Sequence, residues 1–278
     1  MFQLATPHRY KLATPLLAQV LVQVRFPLVA HFNDLSGVAN VQDGLYDLFP
    51  YLAQEHMQTF PIMVSGTANQ LGTTSVVWKF TGDEDWTMTL EPGAVALFTS
   101  NGYRGYEDCA AKLSLILNTL STTGRVTRCD RLGIRFVNIA EPVPGDEQAW
   151  LRWFRPELIG WVGADILNPH TRLGSSINQT QLATPATGPF AGAPVDVQAL
   201  IRHGILPAGT GIPLEAGVVR QLEQESYVLD MDLFVQAAQQ FAPGALLSQL
   251  EAMHAQMDTL FFWSLTEDGK RELGVSVL

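Results

Sequence analysis

The sequence predicts an α+β fold of two β-rich units, each a mostly antiparallel, curved sheet packed on one long helix. Apolar and polar residues alternate in several segments, which is typical of half-buried strands. Each half also contains one long segment whose apolar residues recur every three or four positions, as in an amphipathic helix. Hydrophobic residues make up 47% of the 278 residues, enough for a packed core. We place an N-terminal unit at 1–140 and a C-terminal unit at 141–278, with one continuous domain as the alternative.

The first elements are a strand and a helix. Alternate residues of LAQVLVQVRF share one apolar face, namely Ala18, Val20, Val22, Val24 and Phe26. A helix is predicted within VQDGLYDLFPYLAQ, whose apolar positions recur at three and four. Gly44 weakens this helix and Pro50 breaks it.

A strand-rich block follows. TTSVVWKF and DWTMTLEPG alternate in polarity, and TGDED between them suits a hairpin turn. VALFTS is predicted as a further strand. An amphipathic helix then runs from Tyr106 to Leu120, before the long strand RVTRCDRLGIRFVN.

The second half begins after EPVPGDE, which has the composition of a linker. AWLRWFRPELIGW is predicted as a short helix that stops near Pro156. VQALIRHGIL and YVLDMDLFV are the predicted strands, and the apolar spacing over 246–261 predicts the longest helix. Thr266, followed by Glu267 and Asp268, is the predicted N-cap of a last short helix.

The net charge is −10, so the long-range field of the protein repels polyanions. This disfavours nucleic acid as a partner without excluding it. The two cysteines, Cys109 and Cys129, fit a reducing compartment. We expect a cytoplasmic protein without a secretion signal, because the apolar stretch near the N-terminus alternates as a strand does. No apolar run approaches the ~20 residues of a membrane helix, so no membrane association is expected.

Four arginines fall in the predicted strand RVTRCDRLGIRFVN: Arg125, Arg128, Arg131 and Arg135. Guanidinium groups suit carboxylates and phosphates, so these residues are candidate anion or partner contacts. The alternatives are ion pairs with internal acids such as Asp230, Asp232 or Glu107, or simple exposure to solvent.

Asp230 and Asp232 lie two residues apart on a predicted strand, so both carboxylates point to one face. Such a pair can hold a divalent cation or perform acid and base chemistry. It can equally be a solvated strand face or a partner for arginines.

Trp150, Trp153 and Phe154 share one face of the predicted short helix. Tryptophan flanked by arginine is typical of interaction hot spots, so these residues are a candidate partner or dimer interface. Packing between the two halves explains the same spacing.

Motifs of the common enzyme classes do not occur in the sequence. There is no phosphate-binding loop, no GxGxxG, no GxSxG and no HExxH, and the six histidines have no ligand spacing. We therefore predict no catalytic residues, no cofactor and no metal.

Five motifs taken together carry a resemblance to a known family: WKF…WTMTL, YEDCAAKL, RLGIRFVN, LDMD and WSLTEDGKREL. With them the chain resembles a sporadically distributed, uncharacterised prokaryotic protein family. The resemblance implies a stand-alone cytoplasmic α+β protein. It also implies the patchy inheritance that is typical of mobile-element and phage-defence genes.

The favoured hypothesis is a non-catalytic binding protein that recognises a protein partner or associates with itself. The low charged fraction of 16% supports it, because uncharged surface is commonly covered by another chain. One alternative is an enzyme that acts on an anionic substrate through Asp230, Asp232 and the arginine strand. A second alternative is a nucleic-acid-binding protein.

Overall fold

The structure is a computed structural model that describes residues 10–59, 73–141, 146, 149–163, 174–191, 196–214 and 219–277. The α-helices are α1 (Leu35–Leu45), α2 (Tyr106–Thr122), α3 (Trp150–Trp153), α4 (Pro156–Ile159), α5 (Pro243–Ser264) and α6 (Glu267–Glu272). Short 3₁₀ helices cover Ala30–Asn33, Gly160–Gly163 and Gly188–Phe190. The strands are β1 (Tyr10–Lys11), β2 (Leu17–Arg25), β3 (Tyr51–Thr59), β4 (Thr73–Thr81), β5 (Trp86–Glu91), β6 (Ala94–Thr99), β7 (Arg128–Cys129), β8 (Arg131–Ala140), β9 (Ser176–Thr184), β10 (Val197–Leu206), β11 (Gly211–Pro213), β12 (Val219–Gln221), β13 (Ser226–Val235), β14 (Gln239–Gln240) and β15 (Ser276–Val277).

The predicted α+β class is confirmed, because helices accompany a large antiparallel sheet of nine strands. The chain divides into two compact units, each assembled from separate stretches of sequence. Unit 1 takes its residues from 1–22, 132–237 and 248–278, and unit 2 takes them from 23–131 and 238–247. Each unit therefore draws on both halves of the sequence.

Unit 2 contains the sheet order β3-β4-β5-β6, in which every neighbouring pair is antiparallel. The predicted hairpin between β4 and β5 is confirmed. The buried indole of Trp78 donates from Nε1 to the Phe32 carbonyl oxygen at 2.7 Å, which ties β4 to the segment before α1. At the start of α1, Asp34 accepts a hydrogen bond from the Gly37 amide at 3.0 Å and so caps the helix.

The helix predicted within 41–54 has other bounds in the structure. It is α1, which begins at Leu35 and ends at Leu45, and residues from Tyr51 onward form β3. Pro50 cannot continue a helix because it lacks an amide hydrogen and its ring collides with the preceding turn. Tyr51 instead pairs with Thr81 of β4.

The long arginine strand was also predicted incorrectly at its start. Arg125 has a φ of 53°, in the left-handed region, and lies in the turn after α2, where the Val126 amide donates to the Leu120 carbonyl at 3.0 Å. The strand is interrupted once more at Asp130, whose amide donates a hydrogen bond to the backbone carbonyl oxygen of Arg25 at 2.7 Å. Arg125 is therefore not in register with Arg131 and Arg135.

Unit 1 contains the sheet order β8-β13-β10-β9, again antiparallel throughout. The predicted strands β10 and β13 and the long helix α5 are confirmed. The predicted cap of the last helix is confirmed as well, since Thr266 Oγ1 accepts from the Gly269 amide at 3.0 Å. One face of β13 is fully buried and carries Tyr227, Leu229, Met231 and Leu233.

The helix predicted for AWLRWFRPELIGW is two short helices. α3 ends at Trp153, Phe154 is extended, and α4 begins at Pro156. Proline is well suited to the first position of a helix, where its missing amide hydrogen costs nothing. None of the helices within the described part of the chain is both long and apolar enough to cross a membrane.

Leu117 is fully buried on α2, and we expect Leu117→Ala to lower the free energy of unfolding by about 2–5 kcal/mol. The loss combines the missing apolar contacts with the cavity that remains. Urea denaturation measures it. The control is Leu115→Ala on the same helix, because Leu115 is 38% exposed and its replacement should cost much less. Equal losses for the two variants would mean that the buried face of α2 is assigned wrongly.

Candidate interaction surface

Strand β9 lies at the end of the sheet order, with β10 on one side. Among the residues that the structure describes, no strand pairs with its other side. A strand in this position presents a row of backbone amide and carbonyl groups to its surroundings, and these groups can hydrogen-bond to an added strand. The outer edge of β9 is thus a candidate binding surface made from backbone.

The side chains of β9 do not protect this edge. Its sequence, SINQTQLAT, contains no charged residue and no proline, which are the usual means of blocking an exposed edge. Five of the nine residues are exposed: Ile177, Gln179, Thr180, Gln181 and Ala183. Among them Ile177 is 67% exposed, which is high for a large apolar side chain.

A cluster of charged residues lies on one face of the same sheet and involves three strands. Arg135 on β8 donates two hydrogen bonds to Asp230 on β13, from Nε to Oδ1 at 2.7 Å and from Nη2 to Oδ2 at 3.0 Å. Arg202 on β10 donates from Nη1 to the same Oδ2 at 3.2 Å. The side chain of Asp230 is 9% exposed, whereas those of Arg135 and Arg202 are 23% and 43% exposed.

This cluster reaches β9 through one contact. Arg202 Nε donates to Gln179 Oε1 at 3.3 Å, directly across the β10–β9 ladder. Next to it, the Gln181 side chain donates to that of Gln198 at 3.1 Å. The surface beside the edge is therefore amide-rich, and the charged group that contacts it, Arg202, is already paired with a carboxylate.

The two aspartates of β13, Asp230 and Asp232, differ in their surroundings. Asp230 and Asp232 do point to one face, as expected, but both oxygens of Asp230 accept hydrogen bonds from guanidinium groups. Asp232 is half-buried and lies opposite Arg135 in the ladder. Over the described ranges, no group of three or more histidine, cysteine, aspartate or glutamate residues is arranged to hold a metal ion. Of the roles considered for Asp230, the structure shows the ion pair with arginine.

The other three arginines of the candidate anion site are not gathered with Arg135. Arg128 is exposed and pairs with Asp130, Nε to Oδ1 at 2.7 Å. Arg131 is half-buried and donates from Nη1 to Gln23 Oε1 at 3.2 Å. Arg125 is exposed in the turn after α2.

The aromatic residues of α3 lie inside unit 1. Trp150, Trp153 and Phe154 are each at most 5% exposed. The rings of Trp150 and Phe154 pack on Tyr227 of β13, with centroid distances of 6.1 and 4.4 Å. Their spacing is accounted for by packing within unit 1, and their side chains offer little area to a partner in this conformation.

Trp153 also anchors α3 to α6 through a surface carboxylate. Its Nε1 donates to Glu272 Oε2 at 2.8 Å, and Arg152 Nη2 contacts the same oxygen at 3.1 Å. The hydrogen bond from Trp153 and then that from Arg152 lower the pKa of Glu272, because both favour the carboxylate.

Tyr227 on β13 and His203 on β10 form a buried polar pair. The Tyr227 hydroxyl lies 3.1 Å from His203 Nδ1 and donates to the Leu158 carbonyl at 3.2 Å. Burial raises the pKa of Tyr227 and lowers the pKa of His203, so both side chains stay uncharged at neutral pH. The pair links β10 and β13 to α4.

Lys112 on α2 is a buried ion-pair centre in unit 2 that sequence analysis missed. Its Nζ lies 2.5 Å from Asp108 Oδ1 and 2.8 Å from Glu84 Oε2, and 5.8 Å from the centre of the Trp86 ring. Burial alone would lower the pKa of Lys112, but the two carboxylates raise it. The helical spacing of Asp108 and Lys112 was a visible signal, whereas Glu84 lies in a turn 28 residues away.

Both cysteines are buried in unit 2. Burial is the main cause that raises the pKa of Cys109 and of Cys129 to about 12. At neutral pH both therefore remain thiols, which are poor nucleophiles and metal ligands.

One cavity of about 290 Å³ in unit 1 is lined by polar side chains, namely Glu141, Arg220, Gln221, Glu223 and Gln224. Arg220 Nη2 lies 2.6 Å from Glu141 Oε1 across it. This ion pair occupies the arginine, the one cationic group among the lining residues, so the cavity is a weaker candidate than the β9 edge.

Comparison with models of known protein families found no match to the chain. Comparison with curated proteins found no match either. The family resemblance drawn from the five motifs therefore stays a prediction.

Proposed function

We propose that this chain is a non-catalytic interaction protein that binds a strand of a protein partner along the outer edge of β9. In this mode the partner's backbone hydrogen-bonds to the exposed edge, and side chains on alternate faces give selectivity. We also propose a cytoplasmic location, on the basis of the two cysteines and the motif resemblance, and an association with mobile-element or defence genes, on the basis of the resemblance alone.

The observation that carries the proposal is the combination of edge position and composition in β9. Natural proteins usually block a long exposed edge with charge, proline or a covering element. β9 spans nine residues, carries neither charge nor proline, and has Ile177 exposed. An edge of this kind promotes aggregation unless a partner covers it.

The chemistry of the described residues supports binding over catalysis. The carboxylate of Asp230 forms ion pairs with two guanidinium groups. The thiols of Cys109 and Cys129 are protonated at neutral pH. The enzyme hypothesis would need Asp232 and Arg135 to act together on an anionic substrate. The nucleic-acid hypothesis would need Arg125, Arg128 and Arg131 to act in a protein of net charge −10.

The test is Thr180→Lys, at an exposed position in the middle of β9. A charged side chain on an edge strand disfavours strand addition, so a partner protein retained by the wild type should be lost. Quantitative affinity purification followed by mass spectrometry measures retention. The matched control is Ala111→Lys, which adds the same charge at an exposed position of α2 in unit 2.

Three outcomes decide the matter. Loss with Thr180→Lys and retention with Ala111→Lys, at equal melting temperatures, support the proposal. Equal retention by both variants contradicts it. Loss of a nucleic acid or an anionic metabolite with Arg128→Ala or Arg131→Ala, and no effect of Thr180→Lys, would favour the alternatives.

A further inference from the structure

We infer that the strand added to β9 is β9 of a second copy of this chain, paired antiparallel about a two-fold axis. The inference rests on the proposed function and names its partner. It follows from the pairing that two-fold symmetry imposes on this strand and from the charges that such pairing brings together.

Symmetry and full overlap fix the register. When two copies of Ser176–Thr184 pair antiparallel along their whole length, the central residue Thr180 faces its own copy. Gln179 then faces Gln181, and Ile177 faces Ala183. On this face amide side chains can hydrogen-bond to each other and apolar side chains come together. On the other face Ser176 meets Thr184 and Asn178 meets Leu182, so the pairing brings no like charges together on either face.

The other outermost strand provides a contrast. β3 covers Tyr51–Thr59, so the same full-overlap pairing would set its central residue, Glu55, against a second Glu55. Like charges directly opposite each other destabilise a strand pair. Self-pairing is therefore disfavoured by sequence at β3 and is free of charge repulsion at β9.

The surroundings of β9 add little repulsion between copies. Arg202, the charged side chain that contacts β9, lies 3.2 Å from Asp230, which offsets part of its charge. A chain of net charge −10 repels a second copy at long range. An uncharged, amide-rich edge is a place where two such chains can approach.

The expected dimer is weak and closed. One pair of nine-residue strands buries less area than a standard stable interface, so association should depend on concentration. Two-fold pairing uses the outer edge of β9 on both copies, so assembly stops at two.

A charge swap at the two-fold axis tests this directly. Thr180→Lys alone and Thr180→Glu alone set like charges opposite each other, and each should move the dimerisation midpoint to a concentration at least about tenfold higher. An equimolar mixture sets lysine opposite glutamate and should restore the midpoint to near that of the wild type. Sedimentation velocity across a concentration series measures all three. Ala111→Lys and Ala111→Glu, alone and mixed, are the matched controls and should behave as the wild type does.

Other results would overturn the inference in distinguishable ways. A wild type that stays monomeric at every concentration, yet loses a retained partner with Thr180→Lys, would leave the proposed function standing with a foreign strand as the partner. A wild-type dimer that neither single variant weakens would place the contact elsewhere. A monomer with no partner affected by Thr180→Lys would remove both the inference and the proposed function.

Discussion

Replacing Gly204 by alanine should lower the free energy of unfolding by more than about 3 kcal/mol. Gly204 lies in β10, between Ile177 of β9 and Val228 of β13, and its φ is 152°. A side chain there would place Cβ 1.7 Å from the Ser176 carbonyl oxygen, which belongs to the backbone and cannot move without shifting β9. Alanine at this position should therefore displace the edge strand as well as strain β10.

The control for this prediction is Gly209→Ala. Gly209 also has a positive φ, 81°, but an added Cβ meets no atom within 4 Å. Its replacement should cost only the conformational strain, about 1–2 kcal/mol. Chemical denaturation of both variants separates strain from collision, and similar losses would mean that the close approach of β9 to β10 at Gly204 is wrong. Dimerisation should weaken in Gly204→Ala and not in Gly209→Ala.

Replacing Asp230 by alanine should lower the free energy of unfolding by about 2–4 kcal/mol, below the cost of breaking a fully buried pair because both arginine partners are partly exposed. Arg135 and Arg202 would then keep their positive charges on the sheet face without the carboxylate that both of them bind. Asp130→Ala is the comparison, because Asp130 pairs with the exposed side chain of Arg128, and loss of such a surface pair should lower the free energy of unfolding by about 1 kcal/mol or less.

A double-mutant cycle identifies the cause. Removing Arg135 together with Asp230 should recover part of the loss, since the guanidinium group that lost this carboxylate is removed as well. Thermal or urea unfolding provides the free energies. If Asp230→Ala and Asp130→Ala lower the free energy of unfolding equally, or if the double variant recovers nothing, the Arg135–Asp230 pair does not stabilise the sheet in this way.

The sequence predicted the buried elements well because hydrophobic periodicity reports burial. Strand β13 and helices α2 and α5 each bury a continuous face, and each was predicted from its apolar spacing. Trp78, Met88 and Leu117 lie in segments predicted from this periodicity, and each is at most 2% exposed.

The candidate surface escaped prediction for the same reason. β9 is exposed along most of its length, so SINQTQLAT has no apolar period that could indicate a strand. The ion pair was only partly predictable. Asp230 was among the acids proposed to pair with the arginines, but its partner Arg135 is 95 residues away, and the ladder sets Asp232 and not Asp230 opposite it. A diagonal contact between distant strands is fixed by sheet register, which a single sequence does not contain.

The central claim is that the outer edge of β9 accepts an added strand, and amide hydrogen exchange resolved by residue tests it most directly. In a lone edge strand, alternate amides bond to β10 and the amides between them face solvent. We expect every amide from 177 to 184 to be protected in concentrated protein, and the outward-facing ones to lose protection on dilution. An alternating pattern that is the same at all concentrations would contradict self-pairing of the edge. Full protection that persists at the lowest concentration would mean that the protein covers this edge itself, and would contradict the claim altogether.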